Sequence, residues 1–112
     1  MVKRILLVDD DPAVLRGVRL LLAGRFEIDV AEGAEAAAAL VEERDYHGIV
    51  SDFSMPGKDG IWLLQRVMQS RPAVRRVLTS AFPASAFDGS KVAERFVQKP
   101  ARLQDLLDAL GP

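Results

Sequence analysis

Residues 5–11 read ILLVDDD: four apolar side chains run straight into three carboxylates, Asp9, Asp10 and Asp11. A short apolar run without polar alternation has the pattern of a strand covered on both faces, as in parallel sheets flanked by helices. Its end is electrostatically awkward. Two carboxylates ~4 Å apart repel by about 4 kcal/mol at an effective dielectric of about 20. Either a cation belongs at this strand end or the acids diverge into water. Asp11-Pro12 accounts for one acid, because it has the form of a helix start, with Asp11 as N-cap and Pro12 as the first helical residue.

Outward from that stretch, strand and helix patterns alternate. Val14, Leu15, Val18, Leu21 and Leu22 recur at helical spacing, and Gly24 is a C-terminal stop. Phe26 to Val30 is a second strand, interrupted by polar residues as an edge strand is. Ala34 to Val41 is helical by propensity, its alanines suited to tight packing of helix on sheet. Gly48 to Phe53 is a third strand, and it too delivers an acid, Asp52, at its end. SMPGKDG (54–60) is dense in turn formers and reads as a loop. Ile61, Leu63, Leu64, Val67 and Met68 form the apolar face of a helix ending before Pro72. Arg76 to Ala81 and Arg95 to Gln98 are the fourth and fifth strands, and Leu103, Leu106, Leu107 and Leu110 mark a final amphipathic helix. Phe82 to Glu94 has poor periodicity and contains Pro83 and Gly89, so a helix there is expected to be short or irregular.

This alternation implies an α/β fold, a parallel sheet with helices on both faces. In such sheets the ligand site lies beyond the carboxyl ends of the strands, where strand order reverses. That rule gathers Asp9 and Asp10, Asp52, Thr79 and Ser80, and Lys99 on one rim.

Composition narrows the chemistry. The 112 residues suit one domain. Fifteen basic residues nearly balance sixteen acidic ones, so bulk charge does not point to nucleic acid or an anionic membrane. There is no cysteine, which excludes disulfides and thiolate metal sites and fits a reducing cytoplasm. No apolar run approaches the ~20 residues of a membrane span. Carboxylates without cysteine or paired histidines make a hard oxygen site suited to Mg²⁺. A carboxylate such as Asp52 beside a divalent ion can act as a nucleophile and form an aspartyl phosphate. A nearby lysine and hydroxyl would stabilise charge on the phosphoryl oxygens.

VDDD (8–11), the isolated Asp52 before SMPGKDG, the hydroxyl ending RVLTSA (76–81) and the pair Lys99-Pro100 together resemble the receiver domain of two-component response regulators. The likeness runs over essentially the whole chain, in the family's order. It implies one domain over residues 1–112 and a doubly wound five-stranded sheet of flavodoxin-like order 2-1-3-4-5. It implies Asp52 as phosphoacceptor. Asp10 is then the most direct Mg²⁺ ligand, Asp9 acts mostly through water, and Asp52 with the Ser54 backbone carbonyl completes the metal site. Lys99 takes the place of the family's lysine and Phe96 that of the switch aromatic. The switch hydroxyl is Thr79 or Ser80; Ser80 is preferred here because Ala81 then fills the small position after it. Phe82 stands two residues beyond, where many members carry a polar residue. The resemblance implies a cytoplasmic signalling switch that takes its phosphoryl group from a histidine kinase or phosphotransfer protein. A following output domain or a separate protein reads the change, and a homodimer through the last helix is compatible with it. The family resemblance implies no nucleic-acid or membrane binding by the domain itself, and no enzyme activity on an outside substrate.

Two other readings remain open at this point. One is a receiver-like interaction module that works without phosphorylation, motivated by a segment from Ser80 to Lys99 that is shorter than usual. The other is a small phosphohydrolase, which usually needs a second acid two residues after the nucleophile; here that residue is Ser54. His47 reads as a surface residue, Arg75-Arg76 as a solvated strand entrance, and Trp62 as packing on the third helix.

Overall fold

The computed structural model describes residues 2–83 and 91–112. Five strands and four helices follow one another as β1 (Arg4–Val8), α1 (Pro12–Leu22), β2 (Glu27–Ala31), α2 (Ala34–Glu43), β3 (Gly48–Asp52), α3 (Gly60–Ser70), β4 (Arg75–Ser80), β5 (Arg95–Gln98) and α4 (Leu103–Leu110). All neighbouring strands are parallel, in the order β2-β1-β3-β4-β5. The chain therefore winds outward from β1 in both directions, and the order reverses between β1 and β3, where a ligand site is expected.

Strand alternation divides the core in two. Leu6 and Val8 of β1, Ile49 of β3 and Leu78 of β4 pack with α2 and α3. Ile5, Leu7, Val50, Val77 and Val97 pack with α1 and α4. Both faces of β1 are covered, which is why its sequence shows no alternation. Full burial of a single Leu or Ile side chain contributes roughly 1.5–3 kcal/mol. The polar-interrupted β2 lies at one edge, as its sequence indicates.

The helix ends follow local chemistry. The Asp11 side chain accepts from the Ala13 N–H at 2.9 Å, and Pro12 opens α1. After α1, Gly24 takes a φ of 81°, the left-handed conformation that lets the chain turn into β2. Asp59 caps α3 through the Trp62 N–H at 2.9 Å. The helix expected between Phe82 and Glu94 falls largely on residues 84–90, outside those described; 81–83 and 91–94 carry none.

Two sequence expectations need correction. Arg76 is no solvated entrance: it is buried, its Nε donates to the Val92 carbonyl at 2.7 Å, and its Nη1 donates to those of Pro72 and Val74 at 3.1 and 3.3 Å. Its neighbour Arg75 donates through Nε to the Ala109 carbonyl at 2.9 Å. His47 is not a free surface residue: its Nε2 lies 2.8 Å from the Leu110 carbonyl oxygen. Arg75 and His47 thus satisfy carbonyls that the end of α4 leaves without helical partners. Trp62 does pack against the core, but only half-buried, with the Lys58 and Arg66 cations 5.8 and 5.2 Å from its ring centroid.

Candidate functional site

Four strand ends converge on one rim. Asp9 follows β1, Asp52 closes β3, Thr79 and Ser80 close β4, and Lys99 directly follows β5 and precedes a cis bond to Pro100. The Lys99 ammonium donates to Asp9 Oδ2 at 2.7 Å and stands 3.1 Å from Asp52 Oδ1. The other oxygen of Asp9 accepts from the Asp11 N–H at 2.9 Å. Asp9 and Asp52 are buried and Asp10 is exposed, yet one carboxylate oxygen from each lies within 4.8 Å of the others. Three acids therefore face one ammonium, and the rim keeps an excess of negative charge.

That charge shapes proton affinity. Burial pushes the Asp52 carboxyl above its ordinary value of 3.8; Lys99 opposes the shift, and Asp9 and Asp10 add to it. Burial pulls the Lys99 ammonium down, but its pairs with Asp9 and Asp52 outweigh this and hold its pKa above the ordinary 10.5. Lys99 is therefore held in its charged form, between Asp9 and Asp52 at the centre of the rim.

The two hydroxyls ending β4 take opposite faces of the sheet. Asp52 stands opposite Thr79 in the β3–β4 pairing, and in-register residues project to the same face of a sheet. Thr79 and Lys99 line the same side of the rim as Asp9, with the Thr79 hydroxyl donating to the Ser51 carbonyl at a long 3.4 Å. Ser80 falls on the opposite face, and its Oγ accepts from the Phe82 N–H at 3.0 Å. Register thus puts Thr79 on the face of Asp9 and Asp52, and Ser80 on the face of Leu78 and Phe96. The dipeptide alone does not tell which residue takes which face; counting alternation back from the apolar Val77 and Leu78 does. Phe82, two residues beyond Ser80, is 63% exposed.

Phe96 is half-buried and packs with the core that α2 and α3 cover, opposite Leu78 in register. Ser54 is exposed in the loop after Asp52. Two residues read from the sequence only as part of the loop after Asp52 support the site. Asp59 fixes the start of α3, and Gly60 brings that start so near that an added Cβ would lie 2.3 Å from the Asp52 carbonyl oxygen. The Asp-Gly pair just before an apolar helical face is the signal that marks them.

A family model of the response regulator receiver domain matches residues 5–111. The chain belongs to that family.

Receiver domains are phosphoacceptor switches, and the fold of this chain is theirs. Over 96% of its length the chain is 30% identical to the photosynthetic apparatus regulatory protein RegA of Rhodobacter capsulatus, of which it covers 61%. It covers 24% and 31% of two further regulators that it matches, so it spans only part of these curated relatives. Among solved structures, the signal receiver domain of an HD domain-containing protein from Pseudomonas fluorescens superposes with a TM-score of 0.87 at 29% identity, covering 98% of this receiver and 92% of that chain. The response regulator TrrA of Thermotoga maritima, solved in complex with Mg²⁺-BeF, superposes with a TM-score of 0.84 at 28% identity, covering 93% of this receiver and 92% of that chain. No helix among the described residues of the receiver is long and apolar enough to cross a membrane.

Proposed function

We propose that Asp52 is the phosphoacceptor of this receiver, taking its phosphoryl group from the phosphohistidine of a kinase or phosphotransfer protein in the cytoplasm. The observation that carries this reading is the Lys99 ammonium, 2.7 Å from Asp9 and 3.1 Å from Asp52, among three carboxylates gathered within 4.8 Å. An Asp52 oxygen attacks phosphorus, the N–P bond breaks, and the leaving imidazole nitrogen keeps the electron pair and takes a proton. Burial makes Asp52 more basic than an exposed carboxylate, which favours it as nucleophile once it is ionised.

The donor set fits Mg²⁺, being all oxygen and short of positive charge. Asp9, Asp10 and Asp52, with the Ser54 backbone carbonyl, are the residues proposed to hold it. When bound, it supplies positive charge to phosphoryl oxygens that one ammonium alone cannot neutralise. Lys99 exchanges its bond to Asp52 for one to a phosphoryl oxygen and keeps Asp9 as its anchor. A β4 hydroxyl, that of Ser80 on the face of Phe96 or that of Thr79, turns toward the same oxygens. These local moves bias the two arrangements of the β4–β5 region, with Phe96 as the aromatic that follows, and a following domain or a separate protein reads the shift.

The alternative, an interaction module that has abandoned phosphorylation, is not favoured, because the acids, the ammonium and the hydroxyl all stand on one face. Incubating the chain with a small phosphodonor and Mg²⁺ and reading its intact mass tests the proposal. One phosphoryl group is expected, absent without Mg²⁺ and absent in Asp52→Ala. Undiminished modification of Asp52→Ala overturns it.

A further inference from the structure

The solvent side of α1 carries a pattern that the fold itself does not use. Leu20 is 77% exposed, the most exposed large apolar residue among those described. By helical spacing, Arg16 and Arg19 stand on one flank of it, and Gly17 and Leu21 on the other. No acid lies within the helix. Glycine is unfavourable inside a helix, yet a Cβ at Gly17 would meet nothing within 4 Å. Nothing in the chain's own packing calls for glycine there; the close approach of a second backbone would.

The opposite face of the sheet carries the complement. A shallow groove of about 360 Å³ runs between α2 and α3, with Ala38, Ala39 and the half-buried Trp62 as its apolar surface. Glu35 and Glu42, two turns apart on one row of α2, form one wall. Neither belongs to an ion pair among the described residues; Arg44 and Arg71 pair with Asp29 and Asp45 instead. Glu42 and Glu43 also close α2, whose last turn has no basic residue, and the helix dipole disfavours negative charge there. On the α3 side, Lys58 and Arg66 stand over the Trp62 ring. The groove is therefore split, acidic along α2 and aromatic and basic along α3. Its occupant must bring cations on one flank and an uncharged apolar surface on the other. α1 has that asymmetry, with its arginines on one side of Leu20 and Gly17 and Leu21 on the other.

We propose that α1 of one copy docks in the α2–α3 groove of a second copy, Leu20 resting on Ala39 and Trp62 and the arginines facing Glu35 and Glu42. α1 and the groove lie on opposite faces of the sheet, so the contact is head-to-tail and does not close as a two-fold dimer. One helix in a groove two turns long falls below the roughly 1,200 Å² of a stable interface, so association is weak and concentration-dependent. It leaves the rim untouched and holds whether or not Asp52 is the phosphoacceptor.

Sedimentation velocity of the full chain at concentrations up to about 1 mM is expected to show an average mass that rises with concentration and falls back as salt is added. Trp62 is the single tryptophan, and its emission should shift to the blue as the mass rises. Leu20→Glu and Glu42→Arg should each sediment as monomers. Mixed together, they should form a complex of two chains and no more, because the first keeps its groove and the second its α1. Both positions are exposed; if either variant loses its fold, Arg16→Glu or Glu35→Arg takes its place. The proposal is overturned by a monomer mass at every concentration, by association that either variant leaves intact, or by a mixture that stays monomeric. Association that salt strengthens, or a Trp62 emission that does not follow the mass, overturns it too.

Discussion

Lys99 and Asp9 lie ninety residues apart in sequence and 2.7 Å apart in space. This contact joins the carboxyl ends of β1 and the edge strand β5, across those of β3 and β4, and places a positive charge where ILLVDDD delivers its acids. The Lys99 side chain is 24% exposed and that of Asp9 5%, so the pair is screened far less than a surface salt bridge. Lys99→Met should leave Asp9 and Asp52 facing each other unpaired. A loss of about 1–2 kcal/mol is expected in the metal-free protein, the scale of hydrogen bonds to charged groups. Added Mg²⁺ should recover part of that loss. Urea denaturation with and without Mg²⁺ measures both, and a variant as stable as the parent without metal contradicts the pairing argument.

Asp10 is exposed and adds to the negative field that pushes Asp52 up. Asp10→Asn removes one of three crowded acids and leaves the Lys99 pairs in place. Metal-free stability should rise by on the order of 0.5 kcal/mol, the scale of exposed charge interactions, and the gain should shrink as Mg²⁺ is added. A lower melting temperature for Asp10→Asn in the absence of metal refutes the idea that this rim is electrostatically loaded.

Asp52 predicts a pH dependence of definite sign. Its folded pKa lies above the ordinary 3.8, so the folded protein holds this proton more tightly than the unfolded chain does. The corresponding stability is fully present below about pH 4 and is lost as pH rises through the raised folded value. Asp52→Asn cannot ionise and escapes that loss. Its stability relative to the parent should therefore increase between pH 4 and pH 7 without metal. Urea midpoints across that range test it; a difference that shrinks with pH points the other way.

The strands and helices were legible because each rests on a local signal. The unalternating run of β1, the Asp11-Pro12 start, the polar interruptions of β2 and the leucine spacing of α4 fix their elements with little help from the rest of the chain. The rim was legible as a set, since any parallel sheet brings those strand ends together. What escaped depends on partners that leave no trace in sequence. Thr79 and Ser80 differ only in which face they take, and that is settled by the pairing of β4 with β3. Arg76 looks like any charged residue in the chain, because its partners are mostly backbone carbonyls from Pro72, Val74 and Val92. His47 likewise meets a carbonyl sixty-three residues away.

Gly60 couples the α3 start to the acceptor strand. A Cβ there would lie 2.3 Å from the Asp52 carbonyl oxygen, a backbone atom that cannot swing aside as a side chain can. Gly60→Ala should force α3 and the end of β3 apart. The strain of an overfilled site, typically about 1–3 kcal/mol, should outweigh the roughly 0.5–1 kcal/mol that alanine gains in a helix. A net loss of about 1–2 kcal/mol is expected, with a lower rate of phosphorylation because Asp52 moves relative to Lys99. Unchanged stability and an unchanged rate together show that the contact carries no strain.

Arg76 gives the largest stability effect expected outside the rim. Its side chain is 9% exposed and its Nη1 lies 3.8 Å from Glu94 Oε1, while its own N–H donates to the same carboxylate at 3.2 Å. The guanidinium thus ties the entry of β4 to Val92 and Glu94, where the chain returns to begin β5. Arg76→Met keeps most of the side-chain volume but leaves the carbonyls of Pro72, Val74 and Val92 without their donor. Each buried acceptor left unsatisfied costs about 1–3 kcal/mol, so a total loss of about 3 kcal/mol is expected after partial access of water to these groups. The loss should also be local in its first signs. Amide hydrogen exchange should accelerate at Glu94 and Phe96 before it does in β1 or β3. A variant that loses less than about 0.5 kcal/mol, the range of ordinary surface substitutions, returns Arg76 to the solvated role that its sequence suggests.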